Sequence, residues 1–578
     1  MRKNAAKKSS QTSPLSAKVP TRRDVIVAVL LMAILGFAAY GNSIHNNFIW
    51  DDFHLVKDNI CIKNWSGLKD IFTKNIAAGG GSQYYSYRPF QMITYMIDYA
   101  VCGLDVRVYH LTNIILHIAA GLAVYWLISL ICGDALIALL AAILFITHPV
   151  HVAAVTYISG RADPLALLFM ALSFILYIKS LKAGKASMLY PAIAVSYILA
   201  LFSRENSLML PFLILLYHYV FKERVNSKSF IIVVSLAIAY SILRMTTLGS
   251  LMPHVASPTT LWQRLPGVFV ALTQYVRLLL LPGGLHMEYG HELFSYPDWR
   301  ALLGIVILSL LLICAYRSRT RDPIVLFSIC WFIIALIPVS NLYPLPIAYM
   351  AEHWLYIPSI GYFIIAGKLI SYLLKNRGLK VIGACLLVAA LSFNMLQTTT
   401  YNTLWAHPIR FYENIIRYNP GNERTLNGLA MEYAKIGKKE EAIKLYRRAI
   451  AADPNYQDSY LNLGNTYLEM NRLDDAVALY KKSIEMNPNQ SAVYTNLGSV
   501  YYYSGNAAEA AQWYRKAIEV NPYDVDAYNN LGVAYASLKD YPKAIAAYEE
   551  SLKLNPDSIN ARENLKSARE AMEAHAEK

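Results

Sequence analysis

Two adjacent carboxylates, Asp51 and Asp52, stand in the run Phe48-Ile49-Trp50-Asp51-Asp52-Phe53-His54, just past a hydrophobic segment at 24–40. A carboxylate at the mouth of a membrane domain can act as a general base, taking the proton of a hydroxyl as that hydroxyl attacks. An Asp-Asp pair is commonly no more than a solvated turn. Here, however, the loop also carries Tyr84, Tyr85, Tyr87 and Arg88. Aromatics at a membrane surface suit a sugar on a lipid carrier. Further along come His148-Pro149-Val150-His151, Arg161 with Asp163, Arg204-Glu205, Arg277, then His286, Glu288 and His291, and Glu352-His353 with Tyr356. The guanidinium fork matches phosphate oxygens. Arg88, Arg161, Arg204 and Arg277, with His353, are therefore candidates to hold a carrier phosphate. His148, His151, Asp163, Glu205, Glu352 and Tyr356 would complete the cavity. Each has an ordinary reading too. His148 and His151 suit packing better than metal ligation, because Pro149 lies between them. Arg161 and Asp163, like Arg204 and Glu205, can pair locally. What joins these residues is a common side of the membrane.

That common side depends on the elements between them. The chain has 578 residues, 56% hydrophobic and 16% charged, with mean hydropathy +0.31. This is a membrane composition. The net charge of +14 gathers in short breaks between apolar runs, which speaks for membrane topology and against nucleic acid. Eleven segments are candidate crossings: 24–40, 109–131, 134–149, 162–180, 188–203, 207–221, 229–247, 300–316, 323–339, 355–373 and 379–396. Several are short against the roughly 20 residues a crossing needs. With residues 1–23 as a basic cytoplasmic tail, the breaks holding Lys179, Lys182 and Lys185; Lys222, Arg224 and Lys228; Arg317, Arg319 and Arg321; and Lys375, Arg377 and Lys380 all fall inside, as the positive-inside rule asks. The first outer loop is then 41–108. Residues 264–281 and 87–101 read as interfacial amphipathic helices. The six cysteines form no metal spacing. Cys61 and Cys102 share the outer loop, where a disulfide is conceivable.

From about residue 419 the chain repeats. Pro420, Pro454, Pro488, Pro522 and Pro556 are 34 residues apart, and so are Tyr446, Tyr480, Tyr514 and Tyr548. Small residues recur at Ala430, Gly464, Gly498 and Gly532. This is the signature of tetratricopeptide repeats, a helical solenoid with a concave face. Asn462, Asn496, Asn530 and Asn564 share one phase. An amide that donates and accepts can hold a peptide backbone without reading its side chains. It can equally satisfy the repeats themselves. The expected fold is all-α: a polytopic membrane domain over 24–400 and a solenoid over 401–578. An odd number of crossings puts the solenoid outside, in the compartment of the acidic pair.

Phe48-Ile49-Trp50-Asp51-Asp52, Tyr87-Arg88-Pro89, Tyr109-His110-Leu111, His148-Pro149-Val150-His151 with Gly160-Arg161-Ala162-Asp163, and Ala351-Glu352-His353 with Tyr356-Ile357-Pro358-Ser359 together resemble the transmembrane-and-TPR O-mannosyltransferases, members of the GT-C class. The resemblance covers nearly the whole chain. It implies transfer of a hexose, mannose above all, from a polyprenyl- or dolichyl-phosphate carrier to a protein Ser or Thr, with inversion. It also implies an acidic residue of the first outer loop as base, here Asp51 or Asp52. The family commonly has Glu-Arg where this chain has Glu352-His353, and Lys-Glu where it has Arg204-Glu205. The first difference bears on phosphate binding; the second keeps the charges. The lipid-linked sugar is a substrate, no cofactor is required by the motifs, and a divalent metal stays open. The expected partners are the lipid donor, a protein or peptide acceptor on the repeats, and membrane lipid. A non-catalytic repeat scaffold, or a transferase acting on a glycan or lipid, are the alternatives. A transporter fits less well, because no inverted repeat is evident.

Overall fold

The structure is a computed structural model that describes residues 21–80, 86–182, 186–249, 259–290, 292–344 and 348–576. Tyr84, Tyr85 and His291, and most of the basic tail, lie outside the described residues. The described elements are helices, with no strand among them. They divide into two compact units. The first holds 1–47, 85–94 and 105–406; the second holds 48–84, 95–104 and 407–578. This division departs from the sequence reading in one respect. Most of the first outer loop, expected to go with the membrane domain, is counted with the repeats.

The first unit is the membrane part. Among the described residues, seven helices are long and apolar enough to cross a bilayer: Arg22–Ser43, Val106–Cys132, Ile158–Ser180, Ala186–Ser203, Ser227–Leu248, Trp299–Arg321 and Lys380–Trp405. An eighth candidate, Ala135–Thr147 with Pro149–Val155, bends by 56° at Pro149, which lacks the N–H that would continue the helix. The count of eleven crossings is therefore not reached by length. Leu210–Phe221, Pro323–Leu336 and Ser359–Lys375 occupy the other three segments but are shorter than a usual span. Leu261–Leu280 and Pro89–Cys102 form as helices and fall outside the spanning set. The ends follow local chemistry. Thr21 and Asp24 cap the first span reciprocally, and Asp134 caps the bent pair by accepting from the N–H groups of Leu136 and Ile137. In Trp299–Arg321 and Lys380–Trp405 only 22% and 17% of the apolar window is buried by protein. Faces so apolar and so uncovered are what a helix presents to lipid. The chain is a membrane protein.

In the second unit, helix pairs Glu423–Lys435 with Lys439–Ala452, Gln457–Glu469 with Leu473–Met486, Ser491–Tyr503 with Ala507–Val520, and Val525–Ser537 with Tyr541–Leu554 stack in order, closed by Ile559–Ala576. The periodic glycines are small for a steric reason. A Cβ on Gly464 or Gly498 would meet the ring of Tyr480 or Tyr514, so the aromatic of one helix seats against bare backbone of its partner. The pattern starts earlier than the sequence reading placed it. Helix Pro408–Tyr418 carries Tyr412, 34 residues before Tyr446, and its ring lies against Gly428.

Candidate functional site

The acidic pair is built by an uncommon turn. Trp50 has φ +57°, a conformation bulky side chains rarely adopt. The two carboxylates that follow are placed differently. Asp52 is buried at 1% exposure and accepts the N–H of Ile49 at 3.2 Å. The Asp51 side chain is 25% exposed, with Oδ1 3.9 Å from the Arg424 guanidinium. Arg424 also lies 5.0 Å from the centre of the Trp50 ring. Phe411 and Tyr412 stand beside the same ring, at 6.1 and 5.7 Å between centroids. Further along the loop, Lys74 donates to the Tyr523 hydroxyl, which donates to Asp70, both at 2.8 Å. All these residues belong to the second unit.

The first unit gathers guanidiniums. Glu205 accepts from Arg88 Nε at 3.1 Å and pairs with Arg244 at 3.2 Å; Arg204 pairs with Asp163. Three guanidiniums face two carboxylates, one positive charge in excess. Burial pushes the Glu205 carboxyl up, but Arg88 and Arg244 outweigh it and bring it to about 2. His353 is lowered well below the usual imidazole range by burial and by the like charges of Arg204 and Arg88, so at neutral pH it is uncharged. Arg244 was not among the expected residues. Its signal was present: it is the single charge inside the apolar stretch 229–247, and an ionisable residue there is a functional candidate by default.

Two expected phosphate ligands are placed otherwise. Arg161 is fully buried and spent on Asn113, Thr94 and the Tyr109 carbonyl at 2.7, 3.2 and 3.0 Å. It ties helices together, and the local pair with Asp163 is replaced by the Asp163–Arg204 pair. Arg277 is exposed and hooks onto Gln274 and the Gly283 carbonyl. Its charge acts on a second carboxyl, Glu352. That group accepts from the Tyr289 hydroxyl at 2.7 Å and the His286 N–H at 2.6 Å. Burial nonetheless raises it to about 8, against these two bonds and Arg277.

His148 and His151 are buried, with both ring nitrogens of each engaged. His148 meets the Leu279 carbonyl and the Val150 N–H at 3.2 and 3.3 Å. His151 meets the Phe145 carbonyl and Ser359 at 2.9 and 3.2 Å. Tyr356 is bonded to His117 at 2.6 Å. These three pack and bridge helices, which removes them from an open cavity. No three His, Cys, Asp or Glu side chains converge as a metal site among the described residues, and no disulfide joins Cys61 to Cys102.

The asparagines form a ladder. Asn462 donates to Asn427 at 3.1 Å, Asn496 to Asn465 at 2.6 Å, and Asn564 to Asn529 at 3.1 Å; Asn530 accepts from Asn529 at 3.4 Å. Each stays half-buried, and each amide has further donor and acceptor capacity.

Comparison with known proteins completes this description. Residues 437–498 and 525–558 match the tetratricopeptide repeat family, and 498–539 match the TPR repeat. The chain is 25% identical over 449 residues to protein O-mannosyl-transferase F38B6.6 of Caenorhabditis elegans. It is 25% identical over 524 residues to protein O-mannosyl-transferase TMTC2 of Homo sapiens. The chain resembles the transmembrane-and-TPR O-mannosyltransferases. These matches cover 74% and 72% of this chain, more than either unit supplies, but 63% and 62% of the relatives. The chain thus spans less than two thirds of their length. Among solved structures, the crystal structure of MamA protein is 25% identical over 27% of this chain and 85% of its own, with a TM-score of 0.24.

Proposed function

We propose that the protein is an inverting glycosyltransferase that moves mannose from a polyprenyl or dolichyl phosphate to a Ser or Thr hydroxyl of a protein. The supporting observation is its match, across both membrane and repeat portions, to proteins named as protein O-mannosyl-transferases. Asp51 is the base. Its carboxylate is a quarter exposed, whereas that of Asp52 is buried and accepts the Ile49 N–H of the turn. Asp51 takes the hydroxyl proton as the acceptor oxygen bonds to the anomeric carbon and the bond from that carbon to the phosphate oxygen breaks. The carrier phosphate leaves with an added negative charge. The surplus guanidinium charge of Arg88, Arg204 and Arg244 stabilises it, and neutral His353 supplies a polar contact. The repeats hold the acceptor chain. The positive breaks support an extracytoplasmic side for them and for Asp51.

The test is turnover. Purified full chain in lipid nanodiscs receives polyprenyl-phosphate mannose and a threonine-containing peptide, and the loss of mannose from the lipid is followed by mass spectrometry. Loss that depends on Asp51 supports the reading. No loss from any polyprenyl-phosphate hexose leaves a repeat scaffold instead. Mannose arriving on a glycan or lipid rather than on peptide points to the other transferase class.

A further inference from the structure

We infer that Arg424, on the helix Glu423–Lys435 of the repeats, is a positioning residue for Asp51, so that the repeats build part of the apparatus that activates the acceptor hydroxyl. This rests on the reading of Asp51 as the base.

Three observations converge. First, the backbone at Trp50 is left-handed, φ +57°. A bulky residue keeps such a conformation only where its surroundings over-determine it. Those surroundings belong to the repeats: Phe411, Tyr412 and Arg424 around the indole. Second, one guanidinium serves two consecutive residues. It lies over the Trp50 ring at 5.0 Å and reaches Asp51 Oδ1 at 3.9 Å. Arginine is suited to this, because its flat cation stacks on an aromatic face while its edge faces a carboxylate. Third, the rest of the loop is fastened to the same solenoid. Lys435 lies 5.0 Å from the Phe53 ring centre, and Tyr523 closes the chain from Lys74 to Asp70. Within the loop, Gly80 is pressed so close to the His54 carbonyl that a Cβ could not enter. The turn carrying Asp51 is thus held at several points, and Arg424 is one that reaches the carboxylate itself.

The arrangement assigns a second task to a module whose obvious task is binding a polypeptide. Strain at Trp50 is relieved if Arg424 lets go, and Asp51 then turns with it. A base misplaced by about 1 Å costs roughly a hundredfold in rate.

The experiment uses the full chain in nanodiscs with polyprenyl-phosphate mannose, measuring kcat and donor and peptide KM separately. Arg424→Ala should lower kcat about ten- to a hundred-fold with both KM values kept. Arg424→Lys, which restores charge without the flat stack, should fall between. The double variant Asp51→Asn/Arg424→Ala should be no slower than Asp51→Asn, because the two act as one unit. Hydrogen exchange should speed up in residues 48–57 of Arg424→Ala and stay as it was in 423–435. With Asp51→Asn inactive, an Arg424→Ala protein that keeps kcat, or raises only the peptide KM, overturns the inference and makes Arg424 an acceptor contact. If Arg424→Ala does not fold, Arg424→Lys decides: reduced kcat supports the inference and unchanged kcat overturns it. Full turnover by Asp51→Asn instead overturns the base reading on which the inference stands.

Discussion

In the membrane unit two acidic side chains are committed to cations: Glu205 lies between Arg88 and Arg244, and Asp163 is paired with Arg204. In the repeat unit Asp51 is a quarter exposed and stands 3.9 Å from Arg424. The contrast separates two kinds of chemistry. A carboxyl held at about 2 is a poor proton acceptor, and its job is to organise guanidiniums. A part-exposed carboxylate can take a proton. The membrane unit is built to keep positive charge in place, and the loop unit to present one acid.

The contrast breaks first at Asp51. Asp51→Asn should lower transfer by about 10²- to 10⁴-fold, the usual worth of a general base, with membrane insertion kept. Asp52→Asn should retain far more activity, since an asparagine oxygen can still accept the Ile49 N–H. Equal losses in the two variants would abolish the distinction drawn between them.

Glu205 sharpens the other side. Glu205→Gln leaves the Arg88 and Arg244 guanidiniums together without their shared counter-ion. Removing one partner of a buried pair costs about 3–5 kcal/mol; a group still part-exposed at 17% should sit at the low end. Thermal unfolding of the variant in detergent reads the loss. Phosphate binding offsets it if this cluster is the carrier site, so adding polyprenyl phosphate should recover stability more in Glu205→Gln than in the unaltered protein.

Much of this was legible in the residues. The 34-residue period gave the solenoid, because a repeat that cannot bury its own face must stack. The apolar runs gave each membrane segment. What stayed hidden was partnership across long separations. Arg161 and Arg204 look alike in sequence, but one is consumed by Asn113 and the other faces Asp163. Arg424 and Tyr523 sit in ordinary repeat positions, and nothing local marks them as partners of residues 50–74. Eleven apolar runs do not make eleven full-length helices, for a plain reason. Runs such as 207–221 and 355–373 are apolar, yet the helices they form, Leu210–Phe221 and Ser359–Lys375, are shorter than a typical span.

Glu352 gives a pH signature unlike either group. Its carboxyl is raised from an ordinary 4.5 to about 8 by burial. The folded protein therefore holds this proton where the unfolded chain has lost it. The stabilisation is complete below about pH 4.5, declines as pH rises, and is gone above about pH 8. Glu352→Gln, neutral throughout, should flatten that part of the stability–pH curve. Denaturant midpoints measured at about pH 5 and about pH 9 should differ less in the variant than in the unaltered protein. An identical slope in both would mean that Glu352 does not carry the proton.

The smallest effect concerns the asparagine ladder, where a binding role and a structural role coincide in the same amides. Asn496 donates to Asn465 at 2.6 Å and is half-buried. As a rung alone it is worth about 0.5–1.5 kcal/mol, so Asn496→Ala should lower the unfolding midpoint of the repeats slightly and leave peptide KM unchanged. As a peptide contact, the same substitution should raise peptide KM by several-fold while kcat holds. Asn465→Ala separates the two, because it removes the partner and keeps the Asn496 amide free to bind. Asn465 also accepts the Tyr480 hydroxyl at 2.8 Å, so Asn465→Ala should cost more stability; if both variants lose stability and only Asn496→Ala raises KM, the ladder does both jobs. If both raise KM equally, the amides act through the shape of the repeats and touch no acceptor.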